Sequence, residues 1–168
     1  MAEADARSWN NFISLVKDVC TKCGPGHWER VYKEAIYLAA IKGKFCCQME
    51  QALYVPQKSG RCYAEHRVDL VIGGRFVFEL KTTKPSQIEQ KKNCSQIWNY
   101  LDFMRSANHV ITRAAIIYFT SKGVYVVEVQ ADGKLAHGFW LVLWAKLAWR
   151  GGKELVVGSV GRAGFDHN

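Results

Sequence analysis

Two acids stand in strongly apolar company. Arg67-Val68-Asp69-Leu70-Val71-Ile72 is followed by Val77-Phe78-Glu79-Leu80-Lys81. Burying an ionised carboxylate among Val, Ile and Phe costs several kcal/mol unless a partner compensates. One hard divalent cation would compensate for both acids together, because Mg²⁺ prefers oxygen ligands. Such an ion polarises a phosphate oxygen and acidifies nearby water, which is the chemistry of phosphodiester hydrolysis. Lys81, two residues beyond Glu79 and on the same strand face, would orient that water or balance charge developing on the phosphate. The plainer alternative is a Glu79–Lys81 ion pair at a sheet edge.

The elements must bring the acids together. Phe76, Phe78 and Leu80 point away from Glu79 and Lys81 and form the core. A two-residue turn at Gly73-Gly74 would pair Ile72 with Arg75 and leave Asp69 on the Phe78 face. A three-residue loop, Gly73-Gly74-Arg75, pairs Ile72 with Phe76 and sets Asp69 across from Glu79. Around this hairpin the periodicity predicts helices over 8–22, 27–41 and 86–104. The first buries Trp9, Phe12, Ile13 and Val16. The second buries Val31, Ala35, Leu38 and Ala39, with Glu29, Tyr32 and Lys33 on a neighbouring stripe. The third buries Ile88, Cys94, Ile97, Leu101 and Met104. Strands are expected over 45–56, 62–72, 76–82, 114–120 and 124–130. The order α-α-β-β-β-α-β-β predicts an α/β fold, a mixed sheet with helices on its faces.

The 168 residues suit a single domain, with 49% apolar residues and a net charge of +8. That composition excludes disorder and low-complexity polymers. The positive charge points to an acidic partner, nucleic acid first. Met1 to Ser8 has no apolar core, and the most apolar run, Ala136 to Trp149, contains Lys146, so neither a secretory signal nor a membrane span is expected. An intracellular setting follows as the expectation. Six cysteines then read as reduced thiols, mostly buried. Cys20-x-x-Cys23 with His27 is half of a zinc pattern that has no second half.

Gly26-His27-Trp28-Glu29-Arg30-Val31-Tyr32 matches Gly-x-x-Glu-x-x-Tyr. Lys33-Glu34-Ala35, Glu50, Arg67-x-Asp69-Leu70, Glu79-Leu80-Lys81 and Gln96-x-x-x-Tyr100 follow in order. In this set the chain resembles the GxxExxY proteins of the PD-(D/E)XK nuclease superfamily, over about 10–130. The strict motif has Pro-Asp where this chain has Val68-Asp69.

The resemblance implies an αβββαβ core of the restriction-endonuclease-like type, here with an extra N-terminal helix and a Trp-rich extension over 131–168. It makes Asp69 and Glu79 metal-binding acids, with the Leu80 carbonyl a further ligand. It also makes Lys81 the catalytic lysine and Glu29 the helix acid that completes the site, as in RecB-like nucleases. Gln96 and Tyr100 position substrate. Tyr32, Arg67, Lys84, Lys91 and Lys92 are the other expected substrate contacts, the lysines being otherwise a solvated basic face. Some RecB-like nucleases carry an iron–sulfur cluster with cysteines after the core, and no cysteine here follows Cys94. The expected function is a Mg²⁺-dependent nuclease, with Mn²⁺ as substitute, acting on DNA more than RNA. A catalytically silent nucleic-acid-binding protein is the alternative. Trp140, Trp144 and Trp149 suggest a homodimer contact.

Overall fold

A computed structural model describes residues 2–56, 62–82, 86–129 and 135–143. Lys84, Trp144 and Trp149 lie outside them. Helices α1 (Ala2–Cys23) and α2 (Glu29–Lys42) precede strands β1 (Cys47–Pro56), β2 (Cys62–Ile72) and β3 (Phe76–Lys81). Helix α3 (Gln87–Ser106) then leads to β4 (Arg113–Phe119), β5 (Gly123–Val129) and β6 (Leu135–Leu143). The strands form one mixed sheet in the order β1-β2-β3-β4-β5-β6. Neighbours are antiparallel except β3 and β4. A parallel pair needs a crossover, and α3 supplies it. The tail beyond the expected core thus adds a sixth strand.

Helices α1 and α2 cover one face of the sheet. Trp9, Phe12, Ile13, Val16 and Cys20 recur at helical spacing on α1 and pack with Phe76, Phe78 and Leu80. Trp9 stacks on Phe78 at 4.9 Å and meets Phe76 edge-on at 5.4 Å. Truncating such a buried ring costs about 3–5 kcal/mol. On the other face, Cys94, Ile97, Leu101 and Met104 of α3 pack against Val71, Val77 and Ile116. Ser86 caps α3: its Oγ accepts from the Glu89 N–H, and the Glu89 carboxylate accepts from the Ser86 N–H.

Several expectations need correction. Helix α1 begins six residues earlier than the apolar stripe suggests, because Glu3 and Asp5 favour its first turn. The buried stripe of α2 is Tyr32, Lys33, Ile36 and Ala40, whereas Val31 and Leu38 are exposed. Turning the helix by about one residue removes two apolar side chains from the core and puts a lysine into the site. Ile88 is also exposed, because it stands in the first turn of α3, short of the sheet. Among the cysteines, Cys20, Cys47 and Cys94 are buried and Cys46 is exposed.

Candidate active site

The hairpin between β2 and β3 sets the first relation. Ile72 pairs with Phe76, Val71 with Val77 and Leu70 with Phe78, so the loop has three residues. Gly73 and Gly74 hold φ of 60° and 64°, the left-handed region that glycine enters without penalty. The ladder ends at Leu70 and Phe78. One step further, Asp69 Oδ2 accepts the Leu80 N–H at 2.8 Å. The acid takes the place of a strand partner, and Leu80's peptide group is fixed against it.

Strand β1 shows a matching irregularity. Met49 pairs with Leu70 and Gln51 with Val68, so Glu50 faces Asp69. Glu50 holds φ of 55°, a conformation that costs a non-glycine residue about 1–2 kcal/mol. Regular alternation breaks here in both strands. Leu70 packs under α1 and α2 while Val68, two residues away, packs under α3. Met49 and Leu53 are divided between the same two clusters. The sheet changes faces at Glu50 and Asp69, and both carboxylates are freed from the core.

Two charged clusters result. In the first, the Lys33 ammonium donates to Asp69 Oδ1 at 2.7 Å and to Glu50. Burial opposes the ammonium, but these two carboxylates hold it charged, at about 12. In the second, Glu79 Oε1 accepts from Lys81 Nζ at 2.5 Å and from Gln96 Nε2 at 2.9 Å. Gln96 also donates to the Tyr100 hydroxyl. Burial first, and then the negative charge of Asp69, pushes Glu79 up to about 7 against the pull of Lys81.

Beside these clusters opens a cleft of about 880 Å³, walled by Trp28, Glu29, Lys33, Glu50, Thr82 and Ser121 among others. Thr82 follows β3 and Ser121 follows β4, so the cleft lies past the C-terminal ends of the two parallel strands, where open α/β sheets bind ligands. Glu29 stands in its wall, with its pKa raised chiefly by burial. Tyr32 is committed to structure: its ring stacks on Phe119 at 4.0 Å and its hydroxyl donates to the Gly24 carbonyl at 2.7 Å. Arg67, Lys91 and Lys92 are exposed. A profile of the PD-(D/E)XK nuclease superfamily matches residues 7–129, well over half of the chain. The chain belongs to that superfamily. No curated protein and no solved structure matches it.

The geometry bears on how this PD-(D/E)XK chain would hold an ion. Among the described residues, no three His, Cys, Asp or Glu side chains are close enough together to form a metal cluster. Glu29, Asp69 and Glu79 are therefore not gathered as three acids, and Cys20, Cys23 and His27 form no such set. His27 Nε2 instead hydrogen-bonds the Cys23 carbonyl at 2.9 Å. The residues nonetheless fit a hard cation in one specific respect. Glu79 Oε2 is buried and has no hydrogen-bond partner, while Oε1 has two. A buried carboxylate oxygen left unpaired beside a second acid is a costly arrangement that a cation resolves. Sequence reasoning gave no role to Lys33 and Glu50. The signals were available: Lys33 lies four residues after Glu29 on one helix stripe, and Glu50 falls opposite Asp69 once β1 and β2 are paired.

Proposed function

We propose that this PD-(D/E)XK chain is a divalent-metal-dependent deoxyribonuclease of the GxxExxY type, hydrolysing phosphodiester bonds in DNA repair or a related DNA-processing step. The observation that carries this reading is the unpartnered buried Glu79 Oε2 next to Asp69. A divalent ion held by Asp69 and Glu79, Mg²⁺ with Mn²⁺ as substitute, would supply Lewis acidity to the phosphate and acidify the attacking water. The chain's own residues do the positioning. Lys33 and the Leu80 N–H fix both oxygens of Asp69. Gln96, placed beside Tyr100, holds Glu79 in one rotamer. Lys81 is partly exposed next to Glu79, where its ammonium can donate to a phosphate oxygen as charge develops. Glu29, in the cleft wall, acts electrostatically on Asp69 and Lys81 and would complete the acidic side of the site.

The test is a panel of labelled single-stranded and duplex DNA and RNA, incubated with Mg²⁺ or Mn²⁺ and with chelator. Cleavage of DNA that chelator abolishes is the expected result. Glu79→Gln keeps the shape, removes the charge and should abolish nearly all turnover with the fold intact by circular dichroism. Lys81→Ala should cut the rate ~100- to 1000-fold, yet retain metal binding, since a lysine ammonium donates and does not ligate. Wild-type protein that binds DNA as both variants do, and cuts nothing with either ion, would be a silent binding protein instead.

A further inference from the structure

Trp28 is 83% exposed, far more than so large an apolar side chain usually is. It lies in the cleft wall immediately before Glu29, as the N-cap of α2 in extended backbone. Its mounting is firm. Tyr32, one turn on, is buried against Phe119 in a parallel stack, and its hydroxyl anchors the Gly24 carbonyl. His27 packs edge-on against the Tyr32 ring at 5.7 Å and is tied to Cys23. The segment from Gly24 to Trp28 is thus fixed at both ends, so the backbone that carries the indole needs no ordering at binding.

We infer that Trp28 is a stacking platform for a nucleobase, so that the cleft takes an unpaired nucleotide of a single strand. The inference rests on the nuclease reading above and narrows its substrate. Trp28 and Glu29 share the cleft wall with Lys33 and Glu50 of the first cluster, and Glu29 acts electrostatically on Asp69 and Glu79, so a strand whose phosphate reached those acids would run beside this wall. An indole can stack only on a base whose face is open, and in a continuous duplex those faces are covered by neighbouring pairs. The volume agrees: about 880 Å³ lies within the ~300–1,000 Å³ of small-ligand sites. That is room enough for an unpaired nucleotide. Stacking is tolerant of sequence because every base has a π-face, so little base preference is expected.

Binding is measured by fluorescence anisotropy in chelator, where no cleavage occurs, so the outcome does not depend on turnover. The probes are a labelled single-stranded oligodeoxynucleotide, the same sequence as a blunt duplex, and an all-abasic strand of equal length. Trp28→Ala should weaken single-strand binding about 5- to 150-fold, the loss expected for one stacked base. Duplex and abasic binding should stay within about twofold, and Trp28→Phe should restore most of the single-strand affinity. Equal weakening on all three probes, or none on the single strand, would overturn the inference. Cleavage by the wild-type protein, assayed separately, decides the nuclease reading, so the two can fail independently.

Discussion

Glu79 carries the sharpest electrostatic consequence of any single residue. In the unfolded chain its carboxyl titrates near the ordinary 4.5, whereas in the fold burial and Asp69 let it keep its proton up to about 7. Between those limits the folded protein binds more protons than the unfolded one, so stability falls as pH rises through that window. Urea midpoints in chelator should decline from pH 4.5 to 7 in the wild type. Glu79→Gln, which does not titrate, should show a flatter profile over the same range. Parallel profiles would mean that the slope belongs to other groups. Lys33 acts in the same sense but in a separate window, since its raised pKa adds stability that is lost only as the pH climbs from 10.5 towards about 12.

Among the elements, the β2–β3 hairpin was the most legible. Period-2 alternation fixed which residues share a face, and two adjacent glycines marked the loop. The three-residue closure that sets Asp69 across from Glu79 is the one observed. Gln96 and Tyr100, one helical turn apart, likewise meet at the site: Gln96 reaches Glu79 and also donates to the Tyr100 hydroxyl. Helix α2 was misread by about one residue, for a physical reason. Its two candidate stripes are nearly equally apolar, and the choice depends on Lys33, which a hydrophobic pattern assigns to solvent. Only the pair Glu50 and Asp69, distant in sequence, makes its burial favourable. The change of faces at Glu50 was equally hidden, because a positive φ at a glutamate has no local sequence signature. Backbone irregularities of this kind collect at functional sites.

Over the whole molecule, the net charge of +8 contrasts with a site built around acids. On the proposed nuclease reading, a nucleic-acid substrate would be held by basic groups elsewhere so that its phosphates could approach carboxylates. Lys91 and Lys92, exposed on the first half of α3, are suited to this, since the same helix carries Gln96 to Glu79. Replacing both by Ala should weaken binding of every DNA sequence alike. For each phosphate that a lysine no longer neutralises, the slope of log K against log salt should flatten by about 0.9. An unchanged slope from 50 to 200 mM salt, roughly the range over which such ion pairs act, would put the nucleic acid on another face. Among the described residues no helix is long and apolar enough to cross a membrane.

The early end of the β2–β3 ladder also has a bearing on how long the unloaded protein survives. Backbone pairing stops at Leu70 and Phe78, and beyond it the charges of two carboxylates act on one another. Like charges facing across strands oppose zipping. Lys81 relieves Glu79 from within the same strand, but Asp69 relies on Lys33, which reaches it only once α2 has docked. The acidic end of the hairpin should therefore close after the main folding barrier and be the first part to open. Interactions made after the barrier set the unfolding rate and leave the folding rate nearly unchanged. In chelator, lowering the pH from 8 to 6 should slow unfolding in stopped-flow experiments while refolding stays constant. A refolding rate that moves with pH instead would place this closure in the folding nucleus. With the expected order, the two acids proposed to hold the cation also set the protein's kinetic lifetime, and a bound cation would lengthen it.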